Sequence, residues 1–213
     1  MSDGVLVAER VSIKRGGRTI ISAFSLEAGA GEVVGVVGKN GTGKSTLLMA
    51  IAGVLEPRDG RITIDGASVW GSSAQRARAR SLLGYVPENA DPPGFLRANE
   101  LWALCAASRK TSPPSDELVA ALGLDELGEL QLERMSLGQR RRACLAAALL
   151  GPPRLLVLDE PDNGLDARRL EALVTLVRAH AAAGHAALVA THDRAVLEGL
   201  GARVVTLPEP LEM

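Results

Sequence analysis

Apolar residues come in short runs along this chain, most of them closed by glycine or proline. Residues 5–13 and 19–27 read as strands separated by a turn at Arg15-Gly16-Gly17. Residues 32–37 form a short apolar run ending at Gly38, as a buried strand does. From Ser45 to Val54 the apolar spacing is helical and stops at Gly53. Residues 61–64 are a further strand candidate backed by an Asp65-Gly66 turn, and 73–83 an Arg- and Ala-rich helix; Gly84-Tyr85-Val86-Pro87 closes this first part.

Between Glu88 and Met135 the texture changes. Pro92-Pro93-Gly94 and Ser112-Pro113-Pro114 interrupt the chain around a helical stretch at 99–108, and Ser115 heads another that ends at Gly123. With no convincing strand there, 88–136 reads as an inserted helical subdomain. Ser136 then caps a long helix through Leu150, stopped by Pro152-Pro153. Residues 155–158 are a fully apolar run, hence a buried parallel strand, and after a helix over 167–183 residues 186–191 read as the next buried strand. A helix over 193–200 and a strand over 204–207 complete an α/β alternation. The expectation is one domain over 1–213, with 1–87 and 137–213 forming a mainly parallel lobe that starts with antiparallel strands.

Composition narrows the function classes. A formal charge of −1 over 213 residues gives no global pull toward nucleic acid, and no nucleic-acid partner is expected. Phe24, Trp70, Tyr85, Phe95 and Trp102 are the only aromatics of the Phe, Trp and Tyr type, too scattered for a base-stacking platform. Cys105 and Cys144 stand far apart in no metal-ligand spacing and read as free thiols of a reducing compartment. The first 17 residues lack a signal-peptide pattern, and no apolar run approaches the ~18 residues a membrane helix needs.

The chemistry is concentrated in two motifs. Gly38-Lys39-Asn40-Gly41-Thr42-Gly43-Lys44-Ser45-Thr46, between a buried strand and a helix, satisfies G-x-x-x-x-G-K-[ST]. Its glycines let successive backbone N–H groups turn toward phosphate oxygens, and the helix start adds a positive dipole end. Lys44 supplies a charge for the β- and γ-phosphates and Ser45 a hydroxyl for Mg²⁺. The strand at 155–158 delivers Asp159 and Glu160 to its carboxyl end, the side on which open α/β sheets bind ligands. Asp159 suits a Mg²⁺ ligand, and Glu160 a group that orients or deprotonates an attacking water.

Three further stretches resemble those of the ABC ATPases: Met135-Ser136-Leu137-Gly138-Gln139 their signature sequence, Glu160 to Asp166 (EPDNGLD) their D-loop, and Ala190-Thr191-His192-Asp193 their switch histidine. In order and spacing the chain resembles an ABC nucleotide-binding domain along nearly its whole length. That resemblance implies a P-loop NTPase fold, ATP and Mg²⁺ as ligands, and two such domains associating head to tail as a homodimer or with a paralogue. It further implies that Ser136, Gly138 and Gln139 of one copy meet the γ-phosphate held by the other, and that His192 holds Glu160 and the water. By spacing, Arg15 stands where the family has an aromatic that stacks on adenine; a guanidinium plane also stacks on a base. Leu137 replaces the first signature glycine. Glu88 replaces a glutamine and puts a carboxylate near Mg²⁺; the loop Gly84-Tyr85-Val86-Pro87-Glu88-Asn89 resembles the type-2 exporter branch. The implied function is an ATPase subunit on the inner face of the cell membrane, powering export through separate membrane-spanning permease subunits. The alternatives are a soluble non-transport ABC ATPase and a module that binds ATP without hydrolysis. Outside these motifs, Arg140-Arg141-Arg142 reads as a solvated face, with a nearby anion as the alternative, and His180 and His185 read as solvated.

Overall fold

The computed structural model describes residues 4–209. Residues 1–3 and 210–213, the two ends of the expected domain and the start of the segment read for a targeting signal, lie outside the described residues.

Two sheets are formed. The first is antiparallel: β1 (Leu6–Arg15) pairs with β2 (Arg18–Ala28) on one side and β4 (Asp59–Ile64) on the other, and the two-residue β5 (Ala67–Ser68) extends it. The second is wholly parallel, in the order β6 (Leu83–Val86), β7 (Leu155–Asp159), β8 (Ala186–Ala190), β3 (Val33–Val37), β9 (Arg203–Thr206). The α/β fold expected from the alternation of runs is therefore present, with the antiparallel strands where they were expected.

Alternation along the buried strands builds two cores. In β7, Leu155 and Val157 face α1 (Lys44–Ile51) and the antiparallel sheet, whereas Leu156 and Leu158 face the other way. In β8, Ala186, Leu188 and Ala190 join the first side and Ala187 and Val189 the second. Continuous apolar runs are what a sheet covered on both faces requires. The second core is closed by α3 (Ala98–Arg109), α4 (Asp116–Leu122), α5 (Leu137–Leu149), α6 (Ala167–Ala182) and α7 (Arg194–Leu200). Residues 88–136 carry α3, α4 and a 3₁₀ turn at Leu132–Arg134, and contribute to neither sheet. Helix α2 (Ser73–Ser81) starts at a capping box of Ser72 and Gln75 and leads into β6. Parallel register brings the carboxyl ends of β6, β7, β8 and β3 together, Val86 beside Leu158, Asp159 beside Ala190, and Ala190 beside Val36.

Two expectations are overturned here. The Arg140-Arg141-Arg142 run is no solvated face. Arg141 is buried, and Arg142 donates to Leu122 O (2.8 Å) and Gly123 O (2.6 Å), the carbonyls left unpaired where α4 ends. Arg140 donates to Leu132 O at 3.1 Å and pairs with Asp91 at 3.4 Å. Nor is His180 solvated: it lies on the inner face of α6 with Leu173, Val177 and Ala181, its ring stacked on that of half-buried His185 at 4.8 Å. Burial pushes its imidazole down to about 4, and the charges of His185 and Arg154 add to the effect. Cys105 and Cys144 are free, as expected.

Candidate active site

The turn after β3 is shaped by glycine. Gly43 heads α1 with φ of 101°, and a Cβ there would meet Ile20 Cγ2 at 2.5 Å, so both backbone angle and space exclude a side chain. No side chain caps α1, which leaves the first-turn amides of that helix uncapped. Thr42 closes the loop on itself, its N–H and hydroxyl both donating to Lys39 O (3.2 and 2.9 Å). The Lys44 ammonium is drawn back over the loop, donating to Gly38 O at 3.0 Å and lying 3.5 Å from His192 Nε2.

Asp159, at the end of β7, is buried. The Ser45 hydroxyl and the Glu88 N–H lie close enough to its carboxylate to favour the charged form, while Oδ1 is buried without a hydrogen-bond partner. Burial, reinforced by the Glu88 charge, raises its pKa above the usual carboxylate value, against the opposing effect of Ser45, the Glu88 amide and Lys44. An orphaned anionic oxygen beside a hydroxyl fits a hard, oxygen-seeking cation. The donor set suits Mg²⁺, which takes one or two protein ligands and completes its shell with phosphate and water.

Glu160 follows in the left-handed backbone region, φ 46°, its N–H donating to Ala190 O at 2.7 Å. Its Oε1 is 2.9 Å from His192 Nε2. Burial raises the Glu160 pKa, with Asp162 adding and His192 and Lys44 opposing. A buried carboxyl held by an imidazole is suited to taking a proton from water near neutral pH.

One cleft of ≈ 530 Å³ gathers these groups. Arg15, Asn40, Gly41, Gly43, Lys44, Ser45, Thr46, Glu88, Glu160 and His192 of the expected residues line it. Gly38, Lys39, Thr42 and Asp159 support the loop and the strand end without lining the cleft wall; Lys39 is exposed and pairs with Glu209 at 2.6 Å. Two lining residues escaped the sequence reading: Ile20, beside Gly43, and Asn163, three positions after Glu160 within the EPDNGLD stretch that was itself noticed.

Ser136, Gly138 and Gln139 do not line this cleft. They head α5 in a closed capping box, Gln139 N–H donating to Ser136 Oγ at 3.2 Å and Ser136 N–H to Gln139 Oε1 at 2.9 Å. Gly138 has a reason within its own chain: a Cβ there would meet Gly164 O at 2.3 Å, so only glycine lets the head of α5 sit against the 160–166 loop. Leu137 is exposed beside it.

Comparison with known proteins gives a consistent answer. The family model described as ABC transporter matches residues 21–163. The chain is 37% identical over 207 residues to a putative ABC transporter ATP-binding protein of Streptomyces avermitilis, covering 95% of this chain and 36% of that protein. It is 33% identical over 204 residues to the zinc import ATP-binding protein ZnuC of Cereibacter sphaeroides, covering 95% of this chain and 79% of that one. The chain thus spans little more than a third of the length of the Streptomyces relative. A solved structure of an ATP binding subunit of an ABC transporter superposes with a TM-score of 0.88 at 26% identity, over 95% of this chain and 85% of the other.

Proposed function

Because this chain belongs to the ABC transporter family and is an ATPase of its ATP-binding type, we propose that it hydrolyses MgATP as half of a head-to-tail pair and so powers transport through separate membrane-spanning subunits. One observation carries the reading. Lys44, Ser45, Glu88, Glu160 and His192 converge on a single cleft that the Ser136 helix head of the same chain does not reach.

The uncapped amides of α1 and the glycine loop hold the phosphates, and Lys44 exchanges its Gly38 contact for the β- and γ-oxygens. Ser45 and Asp159 hold Mg²⁺, which neutralises charge on the phosphate oxygens when bound, with Glu88 beside them. Glu160 orients the attacking water and takes its proton at the carboxylate, and His192 keeps that carboxylate aimed. Arg15 and Ile20 also line the cleft, and the Arg15 guanidinium stacks on the base. Ser136, Gly138 and Gln139 of the facing copy, a second copy of this chain or a paralogue, close over the γ-phosphate.

Coupling to the membrane partner passes through Glu88. Besides lining the cleft, it follows Pro87, which with Tyr85, Ala90, Leu101, Cys105 and Arg109 lines a second, mostly apolar groove of ≈ 310 Å³ between β6, α3 and α5. A cytoplasmic segment of the permease docks there, and nucleotide occupancy reaches it through the 87–90 loop. No helix among the described residues is long and apolar enough to cross a membrane, which fits a subunit held at the inner face by its partner. The 84–89 loop supports export as the direction. The test is reconstitution with candidate permeases: MgATP-dependent efflux that Glu88→Gln uncouples, with MgATP affinity kept within a few-fold, supports it. MgATP-driven uptake would reverse the direction. ATPase activity with no membrane partner recovered would favour a soluble, non-transport role.

A further inference from the structure

Of the three adjacent arginines at 140–142, Arg141 alone turns fully inward, at 3% exposure. Its guanidinium donates to three backbone carbonyls: Asp159 O at 3.3 Å, Glu160 O and Glu88 O. Those carbonyls lie at the end of β7, just after it, and just after its neighbour β6, and Glu160 and Glu88 both line the cleft. The side chain itself rides on α5, the helix headed by Ser136. One buried cation therefore joins the acidic strand end, the Glu88 loop and the signature helix.

The join matters most at Glu160. A non-glycine residue in the left-handed region is strained and keeps that conformation only where its surroundings hold it. Ala190 O fixes the N–H side of Glu160, and Arg141 fixes the carbonyl side. Burial alone disfavours the charged guanidinium, but Asp162, Glu88 and Asp159 face it and favour the charge. Its Nε is buried without a partner, so the group's placement favours the carbonyl fan over its own full satisfaction. A lysine would bring a point charge to the same place without the fork that spans several carbonyls.

We propose that Arg141 is a positioning residue: it sets the backbone of Glu160, and with it the aim of the Glu160 carboxylate, and ties that setting to the Glu88 loop and the Ser136 helix. This rests on the hydrolytic role proposed above for Glu160. Displacing a reacting group by about 1 Å costs on the order of 100-fold in rate, so the effect belongs in kcat and not in nucleotide affinity.

The test compares wild type with Arg141→Gln, Arg141→Lys and, as a control on the same helix, Arg140→Gln. Arg141→Gln lowers kcat about 100-fold while the KM for MgATP stays within about threefold. Arg141→Lys restores part of the lost rate, and Arg140→Gln stays near wild type. In nucleotide-free protein, amide exchange across residues 88–91 and 159–163 quickens in Arg141→Gln and less so in Arg141→Lys. Unchanged kcat in a folded Arg141 variant, loss of kcat only in step with the folded fraction, or unchanged exchange would each overturn the proposal. If Arg141→Gln does not fold, Arg141→Lys carries the same comparison. A wild type that neither binds nor hydrolyses MgATP would instead sink the function proposed above, and the exchange measurement, made without nucleotide, would still decide the role of Arg141.

Discussion

On the function proposed above two helix heads meet phosphate, and they are built in opposite ways. Helix α1 begins at Gly43 with no side-chain cap, its first-turn amides unpaired by any cap and backed by Lys44. Helix α5 begins at Ser136 inside a capping box with Gln139, which already pairs the Gln139 N–H with the serine hydroxyl. Unsatisfied N–H groups at a helix start seek an acceptor, and an anion serves best because the helix dipole favours it. The α1 head is therefore a site that ligand completes. The α5 head carries its own cap, and its serine hydroxyl, its dipole and its remaining first-turn amides are what it has to add. Neither helix has an acidic residue in its first turn, so neither head repels phosphate. The difference fits the proposed division, with primary binding at one head and closure by the other.

The largest effect expected from this contrast lies in hydrolysis at the α1 side. Glu160→Gln keeps the size and the contact with His192 but removes the proton acceptor, so kcat falls about 10³-fold while MgATP affinity stays within threefold. Steady-state ATPase assays with parallel nucleotide titrations check both halves. Lys44→Ala comes next. Removing the ammonium deletes charge-assisted bonds each contributing about 1.5–3 kcal/mol, so MgATP affinity falls about 100-fold in an equilibrium titration. An effect on kcat alone would move Lys44 from binding to chemistry. For Ser136→Ala the contrast predicts a smaller, divided outcome. Loss of the cap costs about 1 kcal/mol, which lowers Tm by roughly 2–4 °C. ATPase falls about tenfold through lost closure, and nucleotide affinity of the dilute chain is unchanged. Equal loss of affinity in the dilute chain would place both heads on the same ligand and dissolve the distinction.

The smallest effect marks a region that should respond to neither head. His180 lies at the far end of the sheet, beside the start of β8, whereas His192 follows its other end. Its folded-state pKa of about 4 lies below the ordinary histidine value of 6.5, so the unfolded chain binds the extra proton first as pH falls. Stability therefore drops through the window between those values, by about 1 kcal/mol from pH 6 to pH 5. Denaturant midpoints measured across that range should flatten in His180→Gln, with MgATP affinity at pH 7.5 unchanged.

How much of this was legible depends on the range of the forces involved. The α1 head was readable because its determinants are local: an apolar strand, a glycine loop and a lysine within the twelve consecutive residues from Val33 to Lys44. So was the Ser136 cap, since a serine followed three positions later by glutamine is a signature of its own. Strand β6 was seen only as a closing stretch, because four residues including Gly84 carry little strand signal; its pairing with β7 makes it a strand. The two-residue β5 is likewise a product of pairing with β4. Arg141 could not be told from its neighbours, because three consecutive arginines look alike until distant carbonyls choose one of them. His180 was readable and was missed: with Leu173 and Val177 it follows helical spacing, which puts it on the apolar face.

The most direct test is the molar mass of the Glu160→Gln chain by light scattering as MgATP is added. Two facing copies, each closing the other's cleft with its Ser136 helix, predict a doubling of mass at one MgATP per chain, abolished by adding Lys44→Ala to the same chain. A mass that stays at a single chain while each molecule holds its MgATP would contradict the division of labour between the two helix heads.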